Sequence, residues 1–270
     1  MSAPEFILLV VAGIAIGSYA TAVGAGGGFL LAPLLLSRHT EAEPAAIASA
    51  TLSVVIIASG LAAAMSARAR HVDYRLAAVL TLTALPAGLL GANITALLPR
   101  AWFAIFFATL LMLAGLYLAW RPAQGLVSPV LRGWNREFVN ADGDLFRYRV
   151  PIRRGMLSTF GTAFLAALAG IGGGLIYTPM VTRVMHVPHT LAVPIAQVVN
   201  TGMAVMVVSF HLTAGNTGEP MQDVPALATG VIISVPLGRV IHARLGEGRL
   251  TRMLAAGLIL VSVRTAFFAF

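Results

Sequence analysis

The chain has 270 residues, 58% of them hydrophobic and only 10% charged, against about 25% charged in a soluble domain. So few charges cannot cover a water-facing surface, so a soluble protein is excluded and an all-α polytopic membrane protein is expected. The net charge of +8 comes from 18 arginines with no lysine, scattered between apolar runs, which suits loops that orient a membrane protein better than a nucleic-acid surface. There is no cysteine, so disulfides, thiol catalysis and cysteine-held metals are excluded.

Apolar runs occupy roughly 5–37, 45–66, 76–98, 101–120, 155–183, 190–212, 224–243 and 251–270. A span needs about 20 residues, so six runs are one helix long. The first run has Glu5 and no basic residue before it, and reads as a retained helix rather than a signal peptide. The first and fifth runs are longer, and each is broken by glycine. Gly24-Ala25-Gly26-Gly27-Gly28-Phe29-Leu30-Leu31-Ala32-Pro33 returns without a gap 146 residues later as Gly170-Ile171-Gly172-Gly173-Gly174-Leu175-Ile176-Tyr177-Thr178-Pro179. Glycine runs hold a helix poorly, so each element divides into an arm before the break (5–23, 155–170) and a short arm after it (28–37, 174–183). Broken helices at membrane depth are tolerated only where the backbone is buried in protein or lines a cavity, and paired breaks point to a transporter's substrate site.

The duplication continues beyond the glycines. His71-Val72-Asp73 matches Met221-Gln222-Asp223, and Leu85-Pro86-Ala87-Gly88 matches Val235-Pro236-Leu237-Gly238. The expected organisation is a first transmembrane repeat (1–120), an arginine-rich cytoplasmic linker (121–154) that reads as loop, and a second repeat (155–270). Each repeat is a glycine-broken element followed by three spans. Loop 67–75 carries Arg68, Arg70 and Arg75, whereas its counterpart 213–223 carries only the acids Glu219 and Asp223. By the positive-inside rule, this predicts repeats of opposite orientation.

On these residues the chain resembles the TauE/SafE family of membrane permeases, also called sulfite exporters. The paired Gly-x-Gly-Gly-Gly elements with a proline five residues on, the basic loop with His71-Val72-Asp73, and the run Pro86-Ala87-Gly88-Leu89-Leu90-Gly91-Ala92 carry the likeness. It covers both repeats and leaves out the linker. The resemblance implies export or uptake of small sulfur-containing anions such as sulfite or organosulfonates. The family usually has a Ser/Thr-rich stretch after each glycine element. Here the first repeat has Ser49, Thr51 and Ser53, but the second has Gln197 and Asn200.

The anion-binding residues expected are Gly24, Gly26, Gly27, Gly28, Thr51, Gly170, Gly172, Gly173, Gly174, Gln197, Asn200 and Arg239. A half-helix starting at Gly28 or Gly174 presents free N–H groups and about half a positive charge. The competing account is close helix packing, since Gly24…Gly28 and Gly170…Gly174 each fit a small-xxx-small pattern. Thr51, which aligns with Gln197, and Asn200 are neutral hydrogen-bonding groups. Arg239, with His242 three residues on, would attract the anion or snorkel to the interface. His211 and His242 read as interfacial, and as the only protonatable couplers. All ten acids fall in loops or at span ends, which argues against a carboxylate-coupled antiporter.

The function expected is a secondary transporter, not an enzyme, moving a small sulfur-containing oxyanion across the inner membrane. The competing readings are a channel-like anion uniporter and a membrane scaffold or sensor. No HExxH or GxSxG motif and no Ser–His pair at suggestive spacing is present, and no cofactor is expected. The partners expected are the anion and the lipid bilayer, with a homodimer left open as the assembly.

Overall fold

A glycine-rich stretch follows the first helix of each half, and a glycine starts the next helix. In the computed structural model, which describes residues 2–22, 26–120, 133–140, 143–245 and 247–267, α1 (Ala3–Ala22) is followed by the half-helix α2 (Gly28–Arg38). Gly26 and Gly172, 146 residues apart, both take left-handed backbone, φ +72° and +70°, which a residue with a Cβ adopts only under strain. The second half repeats the pattern with α6 (Ile152–Leu168) and the half-helix α7 (Gly174–Arg183). Long helices follow in each: α3 (Pro44–Arg68), α4 (Tyr74–Leu97) and α5 (Arg100–Trp120), then α8 (His189–Thr213), α9 (Val224–Arg244) and α10 (Glu247–Phe267). Six helical stretches among the described residues are long and apolar enough to cross a membrane, as the composition predicts for an all-α polytopic chain. Gly24 and the side chains of Arg239 and His242 lie outside the described residues.

The first helix of each half packs on the other half: α1 against α9, and α6 against α4. Small residues set the first contact. A Cβ on Gly13 would lie 2.6 Å from the Leu227 carbonyl oxygen, one on Gly230 would lie 2.2 Å from that of Val10, and Gly238 faces Ser18 and Thr21. Partner numbers rise together along this seam, so α1 and α9 run in the same direction. At the seam between α5 and α10 they run opposite ways. Gly115 lies against Ala255, Leu258 and Ile259, while the Ser262 hydroxyl donates to the Ala108 carbonyl.

The segment read from sequence as loop holds a hairpin. β1 (Trp134–Val139) pairs antiparallel with β2 (Leu145–Val150). Trp134, Phe138, Phe146 and Tyr148 pack on the core formed by α4, α6, α7 and α8.

Candidate functional site

The two glycine breaks meet. A Cβ on Gly28 would fall 1.8 Å from the Ile171 carbonyl oxygen, and one on Gly26 would fall 3.6 Å from the Gly174 Cα. The start of each half-helix therefore abuts the break of the other half. In α2, the first N–H groups with acceptors belong to Leu30 and Leu31, both bonded to the Gly27 carbonyl; in α7, those of Ile176 and Tyr177 bond the Gly173 carbonyl. The N–H groups ahead of them in the first turn have no intrahelical acceptor. Both helices are thus aimed, with the positive ends of their dipoles, at the same part of the interior.

Asn200 sits between the breaks. Its Oδ1 accepts the Gly173 N–H. Its Nδ2 lies 3.5 Å from where a Gly26 Cβ would be and 3.4 Å from the equivalent point on Gly172. That Nδ2 is buried with no hydrogen-bond partner among the described residues. One turn earlier on α8, Gln197 has its Oε1 buried and unpartnered, as does Thr51 Oγ1 at the matching place on α3, together with Ser49 Oγ. α3 passes the second break at Ala48, which faces Gly170, and at Val55, which faces Gly172.

Many other hydroxyls in the spans bond back to the preceding turn: Ser53 to Ser49 O, Ser59 to Val55 O, Thr81 to Ala77 O, Thr83 to Val79 O and Thr95 to Gly91 O. Away from the breaks, Thr159 Oγ1 on α6 is also buried with no partner among the described residues. A buried polar group left without a partner costs roughly 1–3 kcal/mol. Such groups beside two converging helix N-termini are suited to a ligand that accepts and donates hydrogen bonds.

The structure thus brings together Gly26, Gly27, Gly28, Gly170, Gly172, Gly173, Gly174 and Asn200, with Gln197 and Thr51 on the flanking helices. Close packing is also present, since Gly28 and Gly170 have no room for a Cβ. His211, near the end of α8, is fully buried, and its ring nitrogens have no hydrogen-bond partner among the described residues. The His242 side chain lies outside the described residues.

The sequence reading missed how the peripheral acids are used. Asp73, 1% exposed, takes Arg136 Nε at 2.9 Å and Nη2 at 2.5 Å, the Tyr148 hydroxyl at 2.6 Å, and the Leu76 N–H, so it also caps α4. Burial works against its charge, but the bonds from Arg136, Tyr148 and Leu76 outweigh burial and hold the carboxyl below its ordinary range. Burial, and then the bond to Asp73, pushes the Tyr148 phenol up. At the matching place in the second half Asp223, 3% exposed, takes Arg38 Nε and His39 Nε2, each at 2.9 Å. The signal for this was the duplicated aspartate itself.

A sequence model described as Sulfite exporter TauE/SafE matches residues 9–265. The chain is 23% identical over 269 residues to the "Probable membrane transporter protein YunE" of Bacillus subtilis (strain 168), covering 97% of this chain and 98% of that protein. No solved structure matches. With the family match running through both halves and both glycine breaks, this multi-pass membrane protein belongs to the TauE/SafE sulfite exporter family.

Proposed function

We propose that the protein is a secondary transporter of the inner membrane that binds a small sulfur-containing oxyanion, sulfite or an organosulfonate, between the two glycine breaks. The observation that carries this is the convergence of two half-helix N-termini on Asn200, beside unpartnered Gln197 and Thr51. Helix N-termini bind anions through N–H groups and dipole without a basic side chain. The neutral amides orient the oxygens without trapping the ligand. The class of anion rests on the family. The test is flux of radiolabelled sulfite and methanesulfonate into proteoliposomes. Protein-dependent, saturable uptake of either supports the reading; no uptake of any member of an oxyanion panel overturns it.

The two halves, 1–120 and 155–270, are repeats of opposite orientation, joined by 121–154 on the cytoplasmic side. Two features support this. The equivalent helices α5 and α10 run antiparallel, and Arg68, Arg70 and Arg75 gather at the end of the molecule that holds the hairpin. Single cysteines introduced by Ala69→Cys and Asn216→Cys are then expected to react with an impermeant thiol reagent from opposite sides, Ala69→Cys from the cytoplasm. Labelling of both from one side would mean parallel repeats.

A further inference from the structure

Asp73 and Asp223 occupy matching places before α4 and α9, yet they are held differently. Asp73 caps its own helix and is held by an arginine and a phenol. Asp223 gives its helix no side-chain cap. It binds the last residue of the half-helix α2, Arg38, and the residue after it, His39. Of those partners, histidine is the residue type whose charge changes between about pH 5 and 8.

We propose that His39 and Asp223 form a proton-binding site that holds the C-terminal end of α2 more firmly when the proton is bound and loosens it when the proton leaves. On the anion-transport reading above, proton occupancy is thereby linked to the anion at the other end of the same helix. α2 has 11 residues, a strut of about 16 Å, and its N-terminus is one wall of the candidate site.

The surrounding charges fit this role. Glu5 of α1 approaches Arg38 at 3.7 Å, and Glu219 of the short 3-10 helix Glu219–Asp223 approaches the other ring nitrogen of His39 at 3.8 Å. Arg100 at the start of α5 donates to the carbonyls of Leu36, His39 and Ala42, with Glu41 nearby. With the proton on, His39, Arg38 and Arg100 face Asp223, Glu219, Glu5 and Glu41. With the proton off, two cations remain against four carboxylates among the described residues, where Arg38 is the charged partner left to Asp223. A buried carboxylate that loses a cation loses the compensation for its desolvation. The end of α2 is therefore held less firmly at high pH.

The test needs no substrate. Leu36, buried on α2, is replaced in Leu36→Cys, and exposed Ser37 in Ser37→Cys, which corrects for the intrinsic pH dependence of the thiol reaction. The ratio of their labelling rates with an impermeant maleimide is expected to rise about five-fold or more between about pH 5.5 and 8.5, as proton loss shifts the closed population. In His39→Gln and Asp223→Asn backgrounds it is expected to be high and flat. If Asp223→Asn does not give a monodisperse protein, His39→Gln alone carries the test. A flat ratio in the parent, or a pH step that persists in His39→Gln, overturns the proposal. Adding sulfite is expected to change the parent's ratio; no change would break the link to the anion site. Absent flux with an intact pH step would overturn the transport reading and leave the proton site standing.

Discussion

The two glycine breaks share a left-handed residue at Gly26 and Gly172 but differ at the next one, where Gly27 is left-handed (φ +84°) and Gly173 right-handed (φ −80°), and they differ in the side chains that serve them. Gly26 and Gly172 adopt the same left-handed turn, and each leads into a half-helix with a proline at the same place, Pro33 or Pro179. At the second break, Asn200 holds the Gly173 N–H and Tyr177 is buried alongside. The residues 146 earlier are Val54 and Leu31, so the first break has apolar side chains at those places. The buried aspartates diverge in the same way, one held by a hairpin and the other by the end of a half-helix. Duplication has kept the geometry that aims two helix ends inward, while the side-chain chemistry has separated. One wall of the site is built from backbone, and the other from backbone plus an amide.

The shared geometry gives the largest expected effect. Gly26→Leu and Gly172→Leu, made separately, are each expected to reduce anion flux to background, a loss of about 100-fold or more, as a side chain enters the space between the breaks and forces strained backbone. Membrane insertion, read by fractionation, is expected to persist. Normal flux in either variant would remove that half from the site. Next is Asp73→Asn, which leaves Arg136 buried beside a neutral group and is expected to cost about 3–5 kcal/mol of stability at neutral pH. The sign follows from the lowered carboxyl: the contribution is fully present above the unfolded value near 3.9 and is lost as pH falls through the still lower folded value. Thermal unfolding of the parent should therefore show this term as flat from neutrality down to about pH 5. If Asp73→Asn matches the parent at pH 7, the hairpin clamp is not structural.

Asn200→Val makes the second break resemble the first. It strands the Gly173 N–H, and an unsatisfied buried donor costs roughly 1–3 kcal/mol, so flux is expected to fall about 10-fold or more. Unchanged flux would mean that the amide serves packing alone. The smallest effect is expected from Gln197→Thr, which restores the first-repeat residue: a change of about three-fold in KM, with kcat nearly constant, as expected when binding is shared equally by ground and transition states. A fall in kcat instead would place Gln197 in the moving part of the cycle.

Much of the fold was legible because its signals are local. The predicted arms 28–37 and 174–183 lie within a residue of α2 and α7, since a glycine run disrupts helix whatever surrounds it. Asn200 was legible as an amide too costly to leave in lipid. The hairpin was hidden by its arginines, although Trp134, Arg136 and Phe138 alternate as a strand does and Asp142-Gly143 is a hairpin turn signal. The partners of Asp73 and Asp223 were not legible, although the duplicated aspartate itself was. Their partners Arg136 and Arg38 are 63 and 185 residues away in sequence, and charge at a span end reads the same whether it meets water or a buried arginine.

The exchanged seam between α1 and α9 sets a timetable for biogenesis. About 200 residues separate the end of α1 from the start of its partner, roughly 10–40 s of synthesis at 5–20 residues per second. For that interval the glycine groove at Gly13 and Gly17 faces lipid or the insertion machinery, with nothing of its own chain to fill it. α6, by contrast, emerges after α4 and finds its seat already made. The N-terminal helix, the first to be made, thus waits about 200 residues of synthesis for its main partner.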